Sequence, residues 1–572
     1  MLKKDLNIIE DINKGIGDSA STGFEDIRNL NITSLPGLVS LGFKTTALST
    51  PPVVTALAYT TDTTTNVITV ASTSGWYNGM AITLATVVTS TGISTGRVYW
   101  IGDLTATTFK LYTNPSLAVG TLVDITGSNG SGTLTSYTFS APLDWAVFYS
   151  GVGASIRPYV FILDTAGRVW WIKNTGGSLT NNLSYLGNDT LTGTGGRAIA
   201  IFSNSIVVFR ESAVDKLAVS VVESASVDVD GGSGWSYGFD TVSGVSQTKR
   251  PVFVAQNDVL YFGNDTKVGS FTSAFTKTTS ALDIPGDDDV ESLGEIGQYL
   301  LVGGSKDKLY PWNKNTPSFD QPLKVPEYKT IKIIGTGQLA YIFAGNSGQI
   351  YVTNAVTLTP YKKLPEQVTG QQDPLITWGD ALAYDNQLYF SFSATQNDGT
   401  ALTTTGGVWG IDLSSKALRL VHQPSYGSYA GTTTLIIPNV LATTSIGTGL
   451  IVPWANSTTY GVDTGSTSYY TSYAAYLISP QYSVGTPLEK TALNQLEIVL
   501  EKPLAANEGV RVSYRPDRGT AFSGTTTFDY TTYSAKQYLN IDFPAVDLVT
   551  FQAKVEVTGT TTTPVLKSVI FR

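Results

Sequence analysis

The residues able to do chemistry are few, and their spacing limits what each can do. His422, in the run Arg419–Pro424, is the only histidine. A Ser-His-Asp relay would have to be built on it, and zinc would find no second imidazole. The expectation is an ordinary polar residue at a strand end. Paired acids cleave glycosidic bonds when their carboxyl groups stand about 5–10 Å apart across the sugar. The densest acidic run is Asp283, Asp287, Asp288, Asp289 and Glu291. Pro285-Gly286 sets that run on a turn, where neighbouring acids are solvated or at most hold a calcium ion. Asp228, Asp230, Gly231 and Gly232 form a similar turn, and neither run has the spacing of an EF-hand loop.

Other candidates are weaker still. The glycine-rich run Gly127–Gly132 lacks a following Lys-Ser/Thr and opens no helix, so it reads as a loop and not as a phosphate cradle. The pairs Trp170-Trp171 and Tyr469-Tyr470 offer either a platform for stacking sugars or ordinary sheet packing. With no cysteine in the chain, a disulfide frame, a thiolate metal site and a thiol nucleophile are all excluded. The sequence therefore assigns no catalytic, cofactor-binding or metal-binding residue, and the expectation is a protein without enzymatic activity or cofactor.

The elements that would carry these residues are strands. One pattern recurs between Pro158 and Val462, roughly every 40–50 residues, the spacing of propeller blades. It appears at Tyr159–Ile172, Ala198–Phe209, Val252–Phe262, Tyr299–Tyr310, Leu339–Val352 and Ala381–Phe390. Each segment is an apolar run, a tight turn of Asn, Asp, Gly or Ser, and a second run rich in Val, Leu and aromatic residues. Such turns tolerate positive φ and the flanks favour extended backbone, so each segment predicts a β-hairpin. Runs apolar on both faces must be covered on both, and radial stacking of small sheets does that. The expectation is an all-β chain containing a β-propeller of about six or seven blades; a string of β-sandwiches is the competing arrangement.

Composition supports an ordered chain with an unusual surface. Of 572 residues, 42% are hydrophobic and 11% aromatic, which a disordered chain does not carry. Only 14% are charged, against the usual quarter or so, leaving Thr, Ser, Asn and Gly to keep the surface wet. That balance leans towards an extracellular or virion-borne structural protein. The net charge of −9 opposes wrapping of nucleic acid, yet would let DNA slide past a wall without sticking. No stretch is apolar enough to span a membrane, and Asp5, Asn7, Glu10 and Asp11 interrupt any secretory core behind Lys3 and Lys4.

Taken in order, residues 1–50 carry an amino-terminal helix and arm. Leu2, Leu6, Ile9 and Ile12 have helical spacing that ends near Gly15 and Gly17, and Pro36-Gly37 turns the arm into a strand over Leu38–Thr46. Pro51-Pro52 marks a boundary, and residues 53–137 form a Thr-rich inserted β-domain with short strands at Asn66–Val70, Ala81–Leu84, Arg97–Ile101, Thr108–Tyr112 and Thr133–Ser136. Residues 138–474 are the propeller. Its last blade draws on Thr433–Pro438, Gly449–Trp454 and Tyr460–Val462, and Leu38–Thr46 is expected beside Trp145–Tyr149, near the last blade, where it would close the ring. Residues 475–572 alternate apolar and polar at Leu496–Leu500, Val510–Arg515 and Phe551–Val557 and read as a carboxy-terminal β-sandwich.

Several stretches resemble known proteins. Thr69–Gly75, Asn78-Gly79-Met80, Gly96–Ile101, Ala106–Leu111 and Asp124–Thr133 are similar to a small β-domain inserted in many bacteriophage structural proteins, where it decorates the surface. Leu488–Lys490, Val512–Arg515, Phe551–Val555 and Thr563–Val569 look like the carboxy-terminal β-domains of phage tail proteins. With the Pro-Gly arm, these resemble the tail nozzle (tail tubular protein B type) of short-tailed bacteriophages. The chain is compact for that family. The resemblance implies a non-enzymatic virion protein of the tail, a ring, as a hexamer, around the DNA exit channel. Its implied partners are copies of itself, tail adaptor and fibre or spike proteins, and genomic DNA that passes without specific binding. The alternative is a tail-tip propeller that binds a receptor or glycan, and after it a glycoside hydrolase.

Overall fold

The computed structural model describes residues 6–7, 26–28, 30–31, 39–41, 43–117, 119–150, 157–172, 174–175, 178–179, 182–187, 195–222, 234–246, 251–316, 318–365, 374–396, 406–423, 425, 433–438, 450–469, 474–483, 491–516 and 521–572. The fold is all-β; among the described residues no helix reaches seven residues. None is long and apolar enough to cross a membrane.

Among the described residues, seven antiparallel four-stranded units follow one another along the chain; the first carries an extra strand pair, Asn174–Thr175 and Ser178–Leu179, before its fourth strand, the sixth is one end of a larger sheet, and the seventh takes a strand from upstream. Their first strands are Pro142–Ser150, Gly196–Phe202, Val252–Ala255, Val290–Ile296, Thr330–Gly335, Leu375–Tyr384 and, in the seventh, the broken pair Thr433–Thr434 and Ile437–Pro438. Each first strand lies against the next, and Leu450–Asn456 of the seventh sheet lies against Pro142–Ser150 of the first. Hydrophobic clusters fill every gap in this propeller-like succession. Val207 and Phe262 share one cluster between the second and third sheets, Leu282 and Leu300 another between the third and fourth, and Val408 and Val452 a third between the sixth and seventh. Between the seventh sheet and the first, Ile162, Ile451 and Val462 belong to one cluster. Strands such as Val169–Ile172 and Ser205–Arg210 are buried along their whole length because both faces are covered.

Tight turns explain the hairpins. Ser203-Asn204 and Asp385-Asn386 each place two consecutive residues at positive φ, the twist-matched geometry of a two-residue hairpin. All six predicted hairpins form, but they are not equivalent. Ala198–Phe209, Val252–Phe262 and Ala381–Phe390 join first to second strands, whereas Tyr159–Ile172, Tyr299–Tyr310 and Leu339–Val352 join second to third. The uneven spacing of the repeat comes from this change of phase.

The amino-terminal stretch differs from expectation. Of the predicted helix only Leu6-Asn7 is described, and it forms a strand paired with Ile570-Phe571; Leu2, Ile9, Ile12, Gly15, Gly17 and the Pro36-Gly37 turn lie outside the described residues. Phe43–Ala47 is the outer strand of the seventh sheet, paired with Thr459–Tyr469, and does not share a sheet with Trp145–Tyr149. Pairing there gives the last sheet its missing fourth strand. Upstream, Asp26–Arg28 lies parallel to the sixth sheet at Leu420 and antiparallel to Tyr476–Ile478. One ten-stranded sheet therefore runs from the sixth meander into the carboxy-terminal region. That region packs Phe551, in the long sheet, against Phe571 of a second sheet, with ring centroids 4.6 Å apart.

Residues Leu57–Ser136 form a closed six-stranded barrel that includes a strand absent from the expectation, Leu57–Asp62. Gly127–Gly132, expected as a loop, lies within the strand Thr126–Ser136, with an irregular register between Gly127 and Ser131. Glycine is required there because a Cβ on Gly130 or Gly132 would stand 2.0 Å from the carbonyl oxygen of Val88 or Thr86. The barrel shares a core with the first and seventh sheets through Trp100, Tyr112 and Tyr137. Trp100 Nε1 donates to the Tyr185 carbonyl at 2.8 Å and the Tyr77 hydroxyl to that of Leu183 at 2.5 Å, so its orientation is fixed.

Candidate functional site

The residues with chemical potential turn out to be joints between strands. Asp380 is the clearest case. It sits at a bulge in the first strand of the sixth sheet and is 2% exposed. Trp145 Nε1 of the first sheet donates to its Oδ2 at 2.8 Å, the Ile436 amide of the seventh at 3.1 Å, and Lys332 Nζ of the fifth lies 2.7 Å from Oδ1. One carboxylate thus ties four sheets together. A buried charge is tolerated only when paired and hydrogen-bonded, and here both conditions hold. Asp144 accepts from the Ile199 amide at 2.9 Å, and Glu295 accepts from the Gln256 amide at 2.8 Å and pairs with Lys314, joining further neighbours.

His422 ends its strand, as expected, but it is fully buried and bound. Its Nε2 lies 3.3 Å from Asp463 Oδ2, across the seam between the sixth and seventh sheets. The Ser425 amide and hydroxyl donate to the same carboxylate at 2.7 and 2.8 Å. Ser425 and His422 both address Asp463, so among the described residues these three do not line up as a relay, in which the imidazole would take a proton from the hydroxyl. Burial pushes the Asp463 carboxyl up, but the His422 contact and the Ser425 bonds outweigh it and hold the group below the usual carboxylate range.

The acidic run divides by burial. Asp283, Asp287 and Asp289 are exposed, whereas Asp288 and Glu291 are buried. Asp288 accepts from Ser305 Oγ at 2.9 Å, the Lys306 amide at 2.8 Å and the Tyr310 hydroxyl at 2.8 Å. In the next sheet Glu327 takes the equivalent partners, Ser347 Oγ at 2.6 Å and the Tyr351 hydroxyl at 3.0 Å. The acid before the first strand, the serine in the second turn and the tyrosine in the third strand form a repeated clasp. Its donors occupy the oxygens a cation would need, and among the described residues no three acids or histidines converge on one point. Asp228, Asp230, Gly231 and Gly232 lie outside the described residues, as does Tyr470.

Trp170 and Trp171 are fully buried, so they form no sugar platform. Trp170 packs edge-on to Phe139 at 5.7 Å and donates to Asp164 at 2.9 Å; Trp171 stacks on Tyr159 at 6.2 Å. Burial raises the Asp164 carboxyl despite that bond and those from Arg168 and Ser140.

A surface site remains that the sequence reading did not single out. Where the first strands of the second, third and fourth sheets begin, a cleft of about 270 Å³ opens between Arg197, Ser243–Ser246, Asp265 and Asp289-Val290. Its walls are tied by backbone bonds, from the Asp265 amide to the Gly244 carbonyl at 3.2 Å and from the Val290 amide to the Asp265 carbonyl at 2.8 Å. The Gly244 amide also donates to Asn264 Oδ1 at 3.0 Å. The sequence signal for Asp380 and Arg197 was a charge set inside or at the head of an apolar strand, which must find a partner or face an opening.

No family model and no curated protein matches the chain. Among solved structures it is similar to the computationally designed Ika8 protein, with a TM-score of 0.35 and 13% identity over 56% of this chain and 96% of that one. It is also similar to a chain of the mitotic checkpoint complex, with a TM-score of 0.36 and 14% identity over 57% and 89%. At such scores neither likeness bears on fold or function.

Proposed function

We propose that this chain is a non-enzymatic structural protein of a bacteriophage tail, a nozzle-type component that forms a ring around the DNA exit channel. In this reading the seven sheets are the blades of one β-propeller, closed by Phe43–Ala47, and the two carboxy-terminal sheets are a β-sandwich. The supporting observation is that buried acids and the lone histidine hold neighbouring strands and sheets together, as Asp380 does for four sheets. Groups engaged in that way stabilise a rigid building block and present no reacting pair to a substrate. The net charge of −9 fits a wall that DNA passes without adhering. The partners are further copies of the chain, as a hexamer, with tail adaptor and fibre or spike proteins at its faces; its location is the virion tail.

The test is the mass of the purified full chain in solution, measured by light scattering across a concentration series. A closed oligomer with one defined mass is expected. A monomer at every concentration, with the protein missing from purified particles, would rule the reading out.

A further inference from the structure

We propose that the cleft between the second, third and fourth sheets binds an acidic sugar unit, a hexuronate carried on a polysaccharide. Arg197 supplies the first reason. Its side chain is 20% exposed and, among the described residues, meets a single partner, Glu211, at 3.8 Å. That separation is too long for a hydrogen bond, so a guanidinium with five N–H donors in a fixed fork faces the cleft with its directional bonding capacity unused. A planar carboxylate matches that fork in a bidentate manner.

The acids supply the second reason, because they select among anions. Asp265 and Asp289 stand exposed on the same cleft, bridged through the bond from the Val290 amide to the Asp265 carbonyl. Two carboxylates beside one guanidinium repel a multiply charged phosphate but accept hydrogen bonds from the hydroxyls of a sugar ring. A ligand with one carboxylate and several hydroxyls satisfies both sides; a neutral hexose leaves Arg197 unmatched, and a nucleic acid backbone meets the acids.

The walls supply the third, since the backbone ties just described hold the cleft in shape before any ligand arrives. Gly244 could not be replaced without a clash, as its Cβ would lie 2.2 Å from Asn264 Oδ1. Preorganisation of this kind lowers the cost of binding. The inference goes beyond the structural reading and rests on none of its observations, so either can fail alone.

The experiment is a titration of the full chain with glucuronate, glucose and inorganic phosphate, followed by ligand-observed magnetic resonance. Glucuronate is expected to show saturable binding, with glucose and phosphate each weaker by roughly tenfold, the loss of a charge-assisted pair. Arg197→Gln should lower glucuronate binding to the glucose level, and Asp289→Asn, on an exposed side chain, should relax the rejection of phosphate. Thermal melts establish that each variant is folded; if Arg197→Gln is not, the phosphate result with Asp289→Asn decides. Absence of saturable glucuronate binding, equal binding of glucose, or unchanged binding by folded Arg197→Gln overturns the proposal. So does unchanged phosphate rejection by Asp289→Asn.

Discussion

At the scale of single residues, the chain uses ionisable groups as fasteners. Asp463 shows what this implies for pH. Its native carboxyl titrates below the ordinary value of 3.8, so the folded protein binds that proton less tightly than the unfolded chain does. The stability it contributes is present above about pH 4 and is lost as the pH falls through the lower native value. Asp463→Asn should cost about 1–3 kcal/mol at neutral pH and should flatten the acid limb of the stability profile. Urea unfolding between pH 3 and pH 7 measures both; an unchanged acid limb would show that the His422–Asp463 seam is not a fastener. Sequence alone located His422 at a strand end but not its partner, since Asp463 lies in another sheet and only the packing of the sixth sheet on the seventh brings them together. In the sequence Asp288 is just one acid of a run. Counting acids in a turn cannot tell that two of the five are buried, one of them held by Ser305 and Tyr310.

At the scale of elements, turn chemistry and apolar runs were legible, and they produced all six hairpins. Phase was not: a hairpin of first and second strands looks the same in sequence as one of second and third, because both are covered on two faces. Glycine misled in the barrel, where Gly130 and Gly132 mark close approach of backbones in a paired strand and not a loop. Gly132→Ala forces its Cβ against the Thr86 carbonyl and the Tyr59 ring. The expected cost is about 1–3 kcal/mol, read by hydrogen exchange over Ala81–Thr91, which should quicken; unchanged exchange would mean that the strand pairing is looser than described. Within the stretch expected to be an amino-terminal helix, Leu6-Asn7 is a strand for a different reason. Leu6 is held by pairing with Phe571, a contact that no local periodicity reports. Deleting residues 43–47 should expose the Thr459–Tyr469 edge to limited proteolysis and lower the melting temperature. Resistance equal to that of the intact chain would deny the strand its closing role.

At the scale of the whole molecule, the amino-terminal residues act as a thread. They touch the carboxy-terminal strand at Leu6 and Val39, the sixth sheet at Arg28, the seventh at Phe43–Ala47 and, at Ser49, Asn182 just ahead of the first sheet's last strand. Sheets that are distant in sequence are thereby locked into one body, as a wall under load would need. A net charge of −9 with few cations predicts that the full chain does not retard duplex DNA even at low salt. A gel shift surviving roughly 0.2 M salt would contradict a passive wall. The central claim is that the seven sheets close on themselves and that the resulting body assembles by copies into a ring. Cryo-electron microscopy of the purified full chain tests it most directly. The account predicts a closed ring of identical subunits, each with seven radial sheets and a barrel seated on the first and seventh; isolated subunits whose sheets lie open between Leu450–Asn456 and Pro142–Ser150 would contradict it.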